Sequence, residues 1–464
     1  MTRRSPHLRR AVWATLSVVL LAACGTQPSP SALASGPISG SPPPASASPA
    51  AGPIGPVRPA PGSDSTVYER NPAAIVVAID PGHGGCLDWG VPDPRERGVG
   101  FSEKAMTLAI GLQLRDLLTA QGISVVMTRD ADEALAGDNY PPLGCHGADW
   151  RDVNGDGESG FDPQGSVRTR DELQARLDKA NVARADVLVS IHINSLTQNG
   201  VVFQIAATQT FYTDETAWGA QVTAPLAQAI QDGVVRAMDG VAGYHRQDRG
   251  IDAQNLYIVA PPLLKTTPQR PDPRKQPTRG ALMPSVLTEV GSITYRPEQN
   301  LLASPKGQRA AAEGIFAALA QHFGDRPLAV SYLLPELESS PGIVPAVIGG
   351  DGPPYWPPRA DGDSLLVRLT NTGTQTWPGN LSLVGGWQAT DQPYLRSAPR
   401  EMPPLLTDPI PALAPGESVD VRVPLPEREG GGPGVAWLTL ARPDGPLTDL
   451  GSPPLQVGTG RTAP

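Results

Sequence analysis

The chain has 464 residues, of which 39% are hydrophobic, so it is long enough for more than one soluble domain with its own core. Its formal charge is −9, from 37 lysines and arginines against 46 aspartates and glutamates. An acidic chain without a long basic run argues against nucleic acid as a partner.

The first 23 residues have the pattern of a bacterial lipoprotein signal. An apolar stretch over 11–21 ends in Leu21-Ala22-Ala23-Cys24, and it is preceded by four arginines: Arg3, Arg4, Arg9 and Arg10. This pattern predicts cleavage before Cys24 and lipid attachment to its thiol. The alternatives are a plain secretory signal and a short membrane anchor. Removal of residues 1–23 takes away four arginines and no acid, so the formal charge becomes −13.

Residues 24–72 are rich in Pro, Ala, Ser and Gly and carry almost no charge. Such a composition cannot bury a core, so we predict a disordered tether. With lipid on Cys24, the protein would be extracytoplasmic and anchored to the outer face of the membrane. With a plain signal it would be secreted.

From residue 75 onward, apolar strand-like runs alternate with stretches of helical periodicity. The run 75–79 is followed by leucines at helical spacing over 103–121 and by a short strand at 125–127. Further helices are expected at about 169–185, 216–238 and 304–323. This alternation predicts an α/β domain over 73–325, with a mainly parallel sheet and helices on both faces.

Four side chains able to bind a metal stand at the ends of these elements. His83 lies on the glycine-rich turn Asp80–Gly85 after the first strand, and His192 and Glu289 end two later strand-like runs. Glu103 begins a helix. Reactive groups in open α/β sheets gather at the carboxyl ends of the strands. Two histidines and two glutamates there are the components of a catalytic zinc site, which needs three protein ligands and one open position.

The order of these segments resembles the zinc-dependent N-acetylmuramoyl-L-alanine amidases of the Amidase_3 family. The segments that carry the resemblance are 80–85, 100–104, 125–129, 180–181, 185–195, 249–251 with Leu256, and 283–291. The resemblance implies that zinc binds His83, Glu103 and His192 and that Glu289 is the catalytic acid and base. It also implies cleavage of the amide bond between N-acetylmuramic acid and L-alanine of peptidoglycan, in cell-wall remodelling. Within the matching segments, Asn194 and Arg249 are candidates for the substrate pocket.

The chain departs from the family pattern just after Glu289. The family commonly continues Gly-Phe-x-x-Asn, whereas this chain reads Gly291-Ser292-Ile293-Thr294-Tyr295. The glutamate itself is retained, so the departure concerns the wall of the pocket. Without the resemblance, the ligand chemistry predicts only metal-assisted hydrolysis of an amide.

His83, Glu103, His192 and Glu289 also have interpretations that involve no zinc. The histidines could be hydrogen-bonded core residues, Glu103 an acid favoured at a helix start, and Glu289 a structural carboxylate. A zincin peptidase would need His-Glu-x-x-His, but no histidine here is followed by glutamate. A metallocarboxypeptidase would usually need His-x-x-Glu, but Cys86 stands three residues after His83. The alternative of another class is a catalytically silent cell-wall-binding or regulatory lipoprotein that uses this domain as a recognition scaffold.

Two segments, 136–165 and 261–280, interrupt the resemblance. The first contains the beginning of an EF-hand-like calcium loop, with candidate oxygen ligands on Asp152, Asn154, Asp156, Glu158 and Asp162. Pro163 stands where such a loop ends in glutamate, so Ca²⁺ binding and a polar surface turn are both open. The second is rich in proline and cations, and it is either a flexible lip for an anionic glycan-peptide or a solvated loop.

Two cysteines remain once Cys24 carries lipid. In an oxidising compartment, Cys86 and Cys145 could form a disulfide that pins the first insertion beside the His83 turn. The alternatives are two separate buried thiols, or a zinc ligand at Cys86.

After a linker predicted over 326–342, residues 343–464 have the pattern of an all-β domain. Apolar and polar residues alternate over 364–369, 419–423 and 435–440, with Pro and Gly turns between them. Together with the loop 371–377, four tryptophans make this segment resemble four-tryptophan Ig-like β-sandwich modules: Trp356, Trp377, Trp387 and Trp437. Such tryptophans serve either as core residues or as sugar platforms. No catalytic constellation is present, so a protein or glycan partner is expected.

Overall fold

The computed structural model describes two folded units. The described residues are 75–137, 151–153, 170–183, 185–198, 201–215, 222–260, 280–324, 328–335, 359–360, 363–389, 398–425, 434–447 and 454–459. Cys24, the tether, Cys145 and most of both insertions lie outside these residues. Lipid attachment, the tether and the second insertion's role therefore stay predictions.

A six-stranded sheet forms the centre of the first unit. Its strands are β1 (Val76–Pro81), β2 (Ser124–Met127), β3 (Val187–Asn194), β6 (Ala206–Tyr212), β7 (Arg246–Ala253) and β8 (Ser285–Ser292), and the short strands β4 (Thr197–Gln198) and β5 (Val201–Val202) form a separate hairpin. The order across the sheet is β2-β1-β3-β8-β6-β7. Neighbouring strands are parallel except for β8 and β6, which are antiparallel. The mainly parallel sheet is thus confirmed.

Helices cover both faces of this sheet. They are α1 (Glu103–Ala120), α2 (Arg170–Val182), α3 (Ala224–Ala242), α4 (Arg296–Leu302) and α5 (Pro305–Gly324), and a short 3-10 helix at Val99–Phe101 precedes α1. Helices α1, α3 and α5 share one core with Val77 and Ile79, whereas α2 packs with Val76 and Ala78 on the other face. Strands buried on both faces have continuous apolar sequences, as β1 has. No helix among the described residues is long and apolar enough to cross a membrane.

The sheet places the carboxyl ends of β1, β3 and β8 side by side. Pro81 is aligned with Ile191, and His192 is aligned with Glu289. The turn after β1 and the start of α1 lie at the same edge, so groups far apart in sequence can meet there.

The second unit consists of two sheets. Its strands are β9 (Val330–Leu333), β10 (Arg359–Ala360), β11 (Ser364–Asn371), β12 (Ser382–Ala389), β13 (Ser418–Pro424), β14 (Gly434–Arg442), β15 (Gly445–Pro446) and β16 (Leu455–Thr459). One sheet has the order β13-β11-β9, and the other has the order β10-β16-β14-β12 with β15 beside β14. One apolar core draws Val367 and Leu369 from the first sheet and Leu383 and Leu438 from the second. The unit is therefore a β-sandwich, and its Ig-like character stays a prediction.

The tryptophans of the sandwich divide between the core and its margin. Trp377 and Trp437 are buried, and Trp387 is half-buried. Trp356 lies outside the described residues. Trp377 belongs to the shared core, so this side chain is not a sugar platform.

The predicted linker over 326–342 is wrong for its first part. Residues 330–333 form β9, which pairs antiparallel with β11, and Val330 and Leu334 are buried in the sandwich core. The Tyr332 hydroxyl accepts a hydrogen bond from the backbone N–H of Leu440, 2.9 Å away, which ties β9 to the opposite sheet. A short edge strand between Pro327 and Pro335 has too few residues to show a clear alternation in the sequence.

The position of β9 predicts where the chain can be divided. Because the two units have separate apolar cores, a chain ending at Pro327 should fold into a stable α/β unit. A matched chain ending at Leu334 should aggregate more, since it leaves apolar β9 residues without the sandwich. Thermal unfolding and size-exclusion chromatography would measure both. An unfolded chain ending at Pro327 would contradict the separation of the two cores.

Candidate metal centre

His83, Glu103 and His192 meet at the carboxyl edge of the sheet. Glu103 Oε1 lies 3.2 Å from His83 Nε2 and 3.2 Å from His192 Nδ1. The two imidazole rings are nearly perpendicular, with centroids 4.8 Å apart. One ligand atom from each residue lies within 4.8 Å of the others. Ligand atoms about 2.1 Å from one tetrahedral ion are about 3.4 Å apart, and the two 3.2 Å separations are close to this spacing.

The orientation of His83 is fixed by its neighbours. Its Nδ1 lies 2.7 Å from Asp88 Oδ1, which leaves Nε2 facing Glu103. This carboxylate–histidine pairing is typical of metal-binding imidazoles. Burial alone would lower the pKa of His83, but Asp88 and Glu103 raise it well above its ordinary value. The backbone of His83 has a φ of 63°, a left-handed conformation that persists only where surrounding contacts enforce it.

Glu103 is held as an ionised carboxylate. It is the first residue of α1, and its Oε2 accepts a hydrogen bond from the Val91 N–H at 2.8 Å. Its Oε1 accepts a second one from the Ile193 N–H at 3.0 Å. Burial alone would raise the pKa of Glu103, but His83 and His192 hold it well below its usual range. These two hydrogen bonds and the neighbouring histidines favour the ionised carboxylate and fix its orientation.

Glu289 stands beside this trio on β8. Its backbone is aligned with His192, and its side chain is buried, with 6% of the residue exposed. Its Oε2 has no hydrogen-bond partner among the described residues. Burial raises the pKa of Glu289 well above its ordinary value, Glu103 adds to this, and His83 opposes it. A buried carboxylate oxygen without a protein partner is costly, so Glu289 is a candidate for contact with a reacting group.

A buried arginine holds the turn that carries His83. Arg176 on α2 pairs with Asp80 at 2.9 Å and with Glu172 at 2.8 Å. Its guanidinium also donates to the backbone carbonyls of Pro81 and His83, both at 2.8 Å. The nearby carboxylates Glu172 and Asp80 raise the pKa of Arg176 despite its burial. One side chain thus fixes the backbone on both sides of Gly82.

Asp80 completes this contact. It accepts hydrogen bonds from the hydroxyls of Thr128 and Ser190, both at 2.6 Å. Burial alone would raise the pKa of Asp80, but Arg176 and the two hydroxyls lower it to about 2. Because these hydroxyls come from the β2 end and from β3, the contact joins the strands beside the site.

Two further buried cations support the same turn. Arg129 donates to the carbonyls of Pro81 at 2.8 Å, Gly82 at 3.0 Å and Lys104 at 2.7 Å. Burial lowers the pKa of Arg129 to about 10. Lys104, the residue after Glu103, donates from Nζ to the Gly85 carbonyl at 2.7 Å. Backbone carbonyls of the glycine-rich turn are thus paired with charged donors.

The two candidate pocket residues lie on the same face of the sheet as His192. Asn194 follows His192 by two residues on β3 and is buried. Arg249 on β7 donates from Nε to Gln209 Oε1 at 3.1 Å. Sequence reasoning missed Gln209, which gives no sequence signal because only strand pairing aligns it with Glu289. It also missed Asp88 and Arg176, which are ordinary charged residues in the sequence.

Small hydroxyl residues follow Glu289, where the chain departs from the expected pattern. The Ser292 hydroxyl lies 2.9 Å from that of Thr294, and both residues are buried. The Thr294 hydroxyl also lies 3.2 Å from the carbonyl oxygen of Phe203. These contacts join the end of β8 to the connection that follows β5.

The remaining site predictions have mixed outcomes. Cys86 is disulfide-bonded, so the interpretation of it as a thiolate zinc ligand is wrong, and so is that of a separate buried thiol. Its partner lies outside the described residues, and the pairing with Cys145 stays a prediction. Of the calcium-loop candidates, only Asp152 is described, and it is exposed. The calcium loop therefore stays a prediction.

Comparison with known proteins identifies relatives of the first unit. The Amidase_3 family model, described as N-acetylmuramoyl-L-alanine amidase, matches residues 77–321, which is just over half of the chain. The germination-specific N-acetylmuramoyl-L-alanine amidase of Bacillus subtilis (strain 168) is 27% identical over 255 residues, covering 54% of this chain and 82% of that protein. The sporulation-specific N-acetylmuramoyl-L-alanine amidase of the same strain is 26% identical, covering 54% and 68%. Among solved structures, an N-acetylmuramoyl-L-alanine amidase from Clostridium difficile 630 is similar, with 26% identity, coverage of 54% and 97%, and a TM-score of 0.36.

The close approach of Gly82 to His192 provides a test of the centre. A Cβ atom at residue 82 would lie 2.5 Å from the His192 ring, whereas one at residue 100 in the same connection would meet nothing within 4 Å. Gly82→Ala should therefore displace His192 and weaken zinc binding by about tenfold to hundredfold, the range for disturbed ligand support. Gly100→Ala should bind zinc as the wild type does. Competition with a chelator would measure both, and wild-type affinity in Gly82→Ala would show that His192 is not a ligand.

Proposed function

The chain belongs to the Amidase_3 family of N-acetylmuramoyl-L-alanine amidases, and we propose that it uses zinc to hydrolyse the bond between N-acetylmuramic acid and L-alanine in peptidoglycan. One observation carries the proposal. His83, Glu103 and His192 bring their ligand atoms together, and the buried carboxylate of Glu289 beside them has an oxygen with no hydrogen-bond partner in the described part of the chain. Family membership supports the amidase activity, and the donor set supports the metal.

The residues present fit zinc better than they fit Mg²⁺ or Ca²⁺. Mg²⁺ and Ca²⁺ take oxygen ligands almost throughout, whereas two of these three donors are imidazole nitrogens. Three protein ligands leave one position open, as catalytic zinc sites do. A zinc ion in this position would polarise the scissile carbonyl and lower the pKa of a water molecule that it binds.

Glu289 is suited to carry the proton. Glu289 is paired with His192 on the neighbouring strand, so both side chains stand on the same face of the sheet. A raised pKa lets it take the proton of the attacking water. It can then deliver that proton to the alanine nitrogen, which leaves poorly as an unprotonated amine.

The fixed contacts around the ligands orient the reacting groups. Asp88 holds the His83 ring, and two backbone N–H groups hold Glu103. A silent recognition scaffold would need none of these groups to remain together. The full set is present, so that alternative is not favoured.

The proposal predicts the products and the role of Glu289. The full chain should bind one zinc ion and release peptides with a new free alanine amine from peptidoglycan, as read by mass spectrometry. Glu289→Ala should keep the metal but lose about 10²- to 10⁴-fold in kcat, the usual contribution of general acid–base catalysis. Glu313→Ala, on the exposed surface of α5, is the matched control.

Two outcomes would contradict this account. Cleavage between two amino acids would reject the amidase assignment for this chain. Unchanged kcat in Glu289→Ala, with metal bound, would remove the proton-transfer role.

A further inference from the structure

A row of polar side chains runs across the sheet from the metal centre. His192 on β3 is aligned with Glu289 on β8, and Glu289 is aligned with Gln209 on β6. Side chains of directly aligned residues stand on the same face of a sheet, and neighbouring strands are about 4.8 Å apart. Gln209 is therefore one strand beyond the proton-transferring carboxylate.

Arg249 extends this row by means of an irregularity in β7. The register between β6 and β7 shifts at this level, so that Arg249 and Gly250 together stand opposite Gln209. Gly250 has a φ of 69°, which glycine adopts without strain. The irregularity turns the Arg249 side chain towards Gln209, whose Oε1 accepts a hydrogen bond from Arg249 Nε at 3.1 Å. Bulges near active sites commonly re-aim a side chain in this way.

The charge of Arg249 is not neutralised within the described part of the chain. Arg176 and Arg246, which also contact the sheet, are each paired with a buried carboxylate. The described contacts of the Arg249 guanidinium include only the neutral amide of Gln209. With Nε occupied, the two terminal nitrogens remain as a pair of parallel donors, the geometry that binds a carboxylate in two hydrogen bonds.

The position of this donor pair matches the length of a short peptide. The backbone of Arg249 is two strands from that of Glu289, which corresponds to roughly 10 Å. Its guanidinium contacts Gln209, whose backbone is one strand, or about 4.8 Å, from that of Glu289. An extended peptide advances about 3.3 to 3.6 Å per residue, so the second residue after the scissile carbonyl lies roughly 7 Å away. The second residue would therefore lie between β6, which carries Gln209, and β7, which carries Arg249.

We propose that Arg249 binds a free carboxylate on the second residue of the stem peptide, and that Gln209 positions it for this. The enzyme would then prefer peptides in which that carboxyl is an acid over peptides in which it is an amide. This inference rests on the proposed function, because it places the scissile carbonyl beside Glu289. It adds a specificity determinant that lies outside the metal ligands.

Two synthetic N-acetylmuramoyl tripeptides test the proposal with the zinc-loaded full chain. In both, the third residue ends in a carboxamide, and the second residue is a D-glutamate linked through its γ-carboxyl. They differ only in the α-carboxyl of this D-glutamate, which is a free acid in one and a carboxamide in the other. The wild type should cleave the acid with a kcat/KM about tenfold to hundredfold higher, the range for a charge-assisted hydrogen bond. The difference should reside mainly in KM.

Variants assign that preference to named side chains. In Arg249→Gln, the ratio of kcat/KM for the acid to kcat/KM for the amide should be close to one. Arg249→Lys should keep part of it, because lysine retains the charge but not the planar pair of donors. Gln209→Leu should reduce the ratio through KM while the zinc content stays unchanged. Arg115→Gln, at an exposed position on α1, is the control and should keep the full ratio.

The outcomes separate this inference from the proposed function. Equal kcat/KM for acid and amide in the wild type, or a full preference that survives in Arg249→Gln, would overturn the role of Arg249 and leave the amidase intact. Failure of the wild type to cleave either tripeptide would overturn the proposed function, and this inference with it.

Discussion

The candidate metal centre depends on one buried ion pair. Arg176 and Asp80 lie 2.9 Å apart, and each has only 1% of its side chain exposed. Removal of one partner from such a pair costs about 3 to 5 kcal/mol, because the other charge is left buried without compensation. The pair joins α2 to the end of β1, and Arg176 also donates to the carbonyl of His83. The core of the domain thereby fixes the backbone of a candidate ligand, His83.

This constraint explains how His83, Glu103 and His192 are held together although they come from separate elements. His83 has a left-handed backbone, which charged donors from α1, α2 and the end of β2 stabilise through neighbouring carbonyls. Glu103 begins a helix whose position is set by the same turn, and it accepts an N–H from the strand that carries His192. The fold thus places these three candidate ligands side by side, so binding of a metal ion would require little rearrangement.

Much of this arrangement could be predicted from the sequence. The apolar runs before His83, His192 and Glu289 indicated strand ends, and a parallel sheet necessarily brings such ends to one edge. The roles of Arg176, Asp88 and Gln209 could not be predicted, because they depend on side-chain contacts and on strand register. Arg176 and Asp80, for example, are 96 residues apart in the sequence. Strand β9 was missed for a related reason: its partner β11 begins only at Ser364, and a four-residue segment has little periodicity of its own.

The most direct test of this account is the zinc affinity of Arg176→Lys. Lysine keeps the positive charge beside Asp80, but it cannot also donate to the carbonyls of Pro81 and His83 in the planar geometry of a guanidinium. The account predicts a folded protein whose zinc affinity, measured by chelator competition, is about tenfold to hundredfold weaker, although Arg176 itself is not a ligand. A folded Arg176→Lys protein with wild-type zinc affinity would show that the buried pair does not position the metal centre.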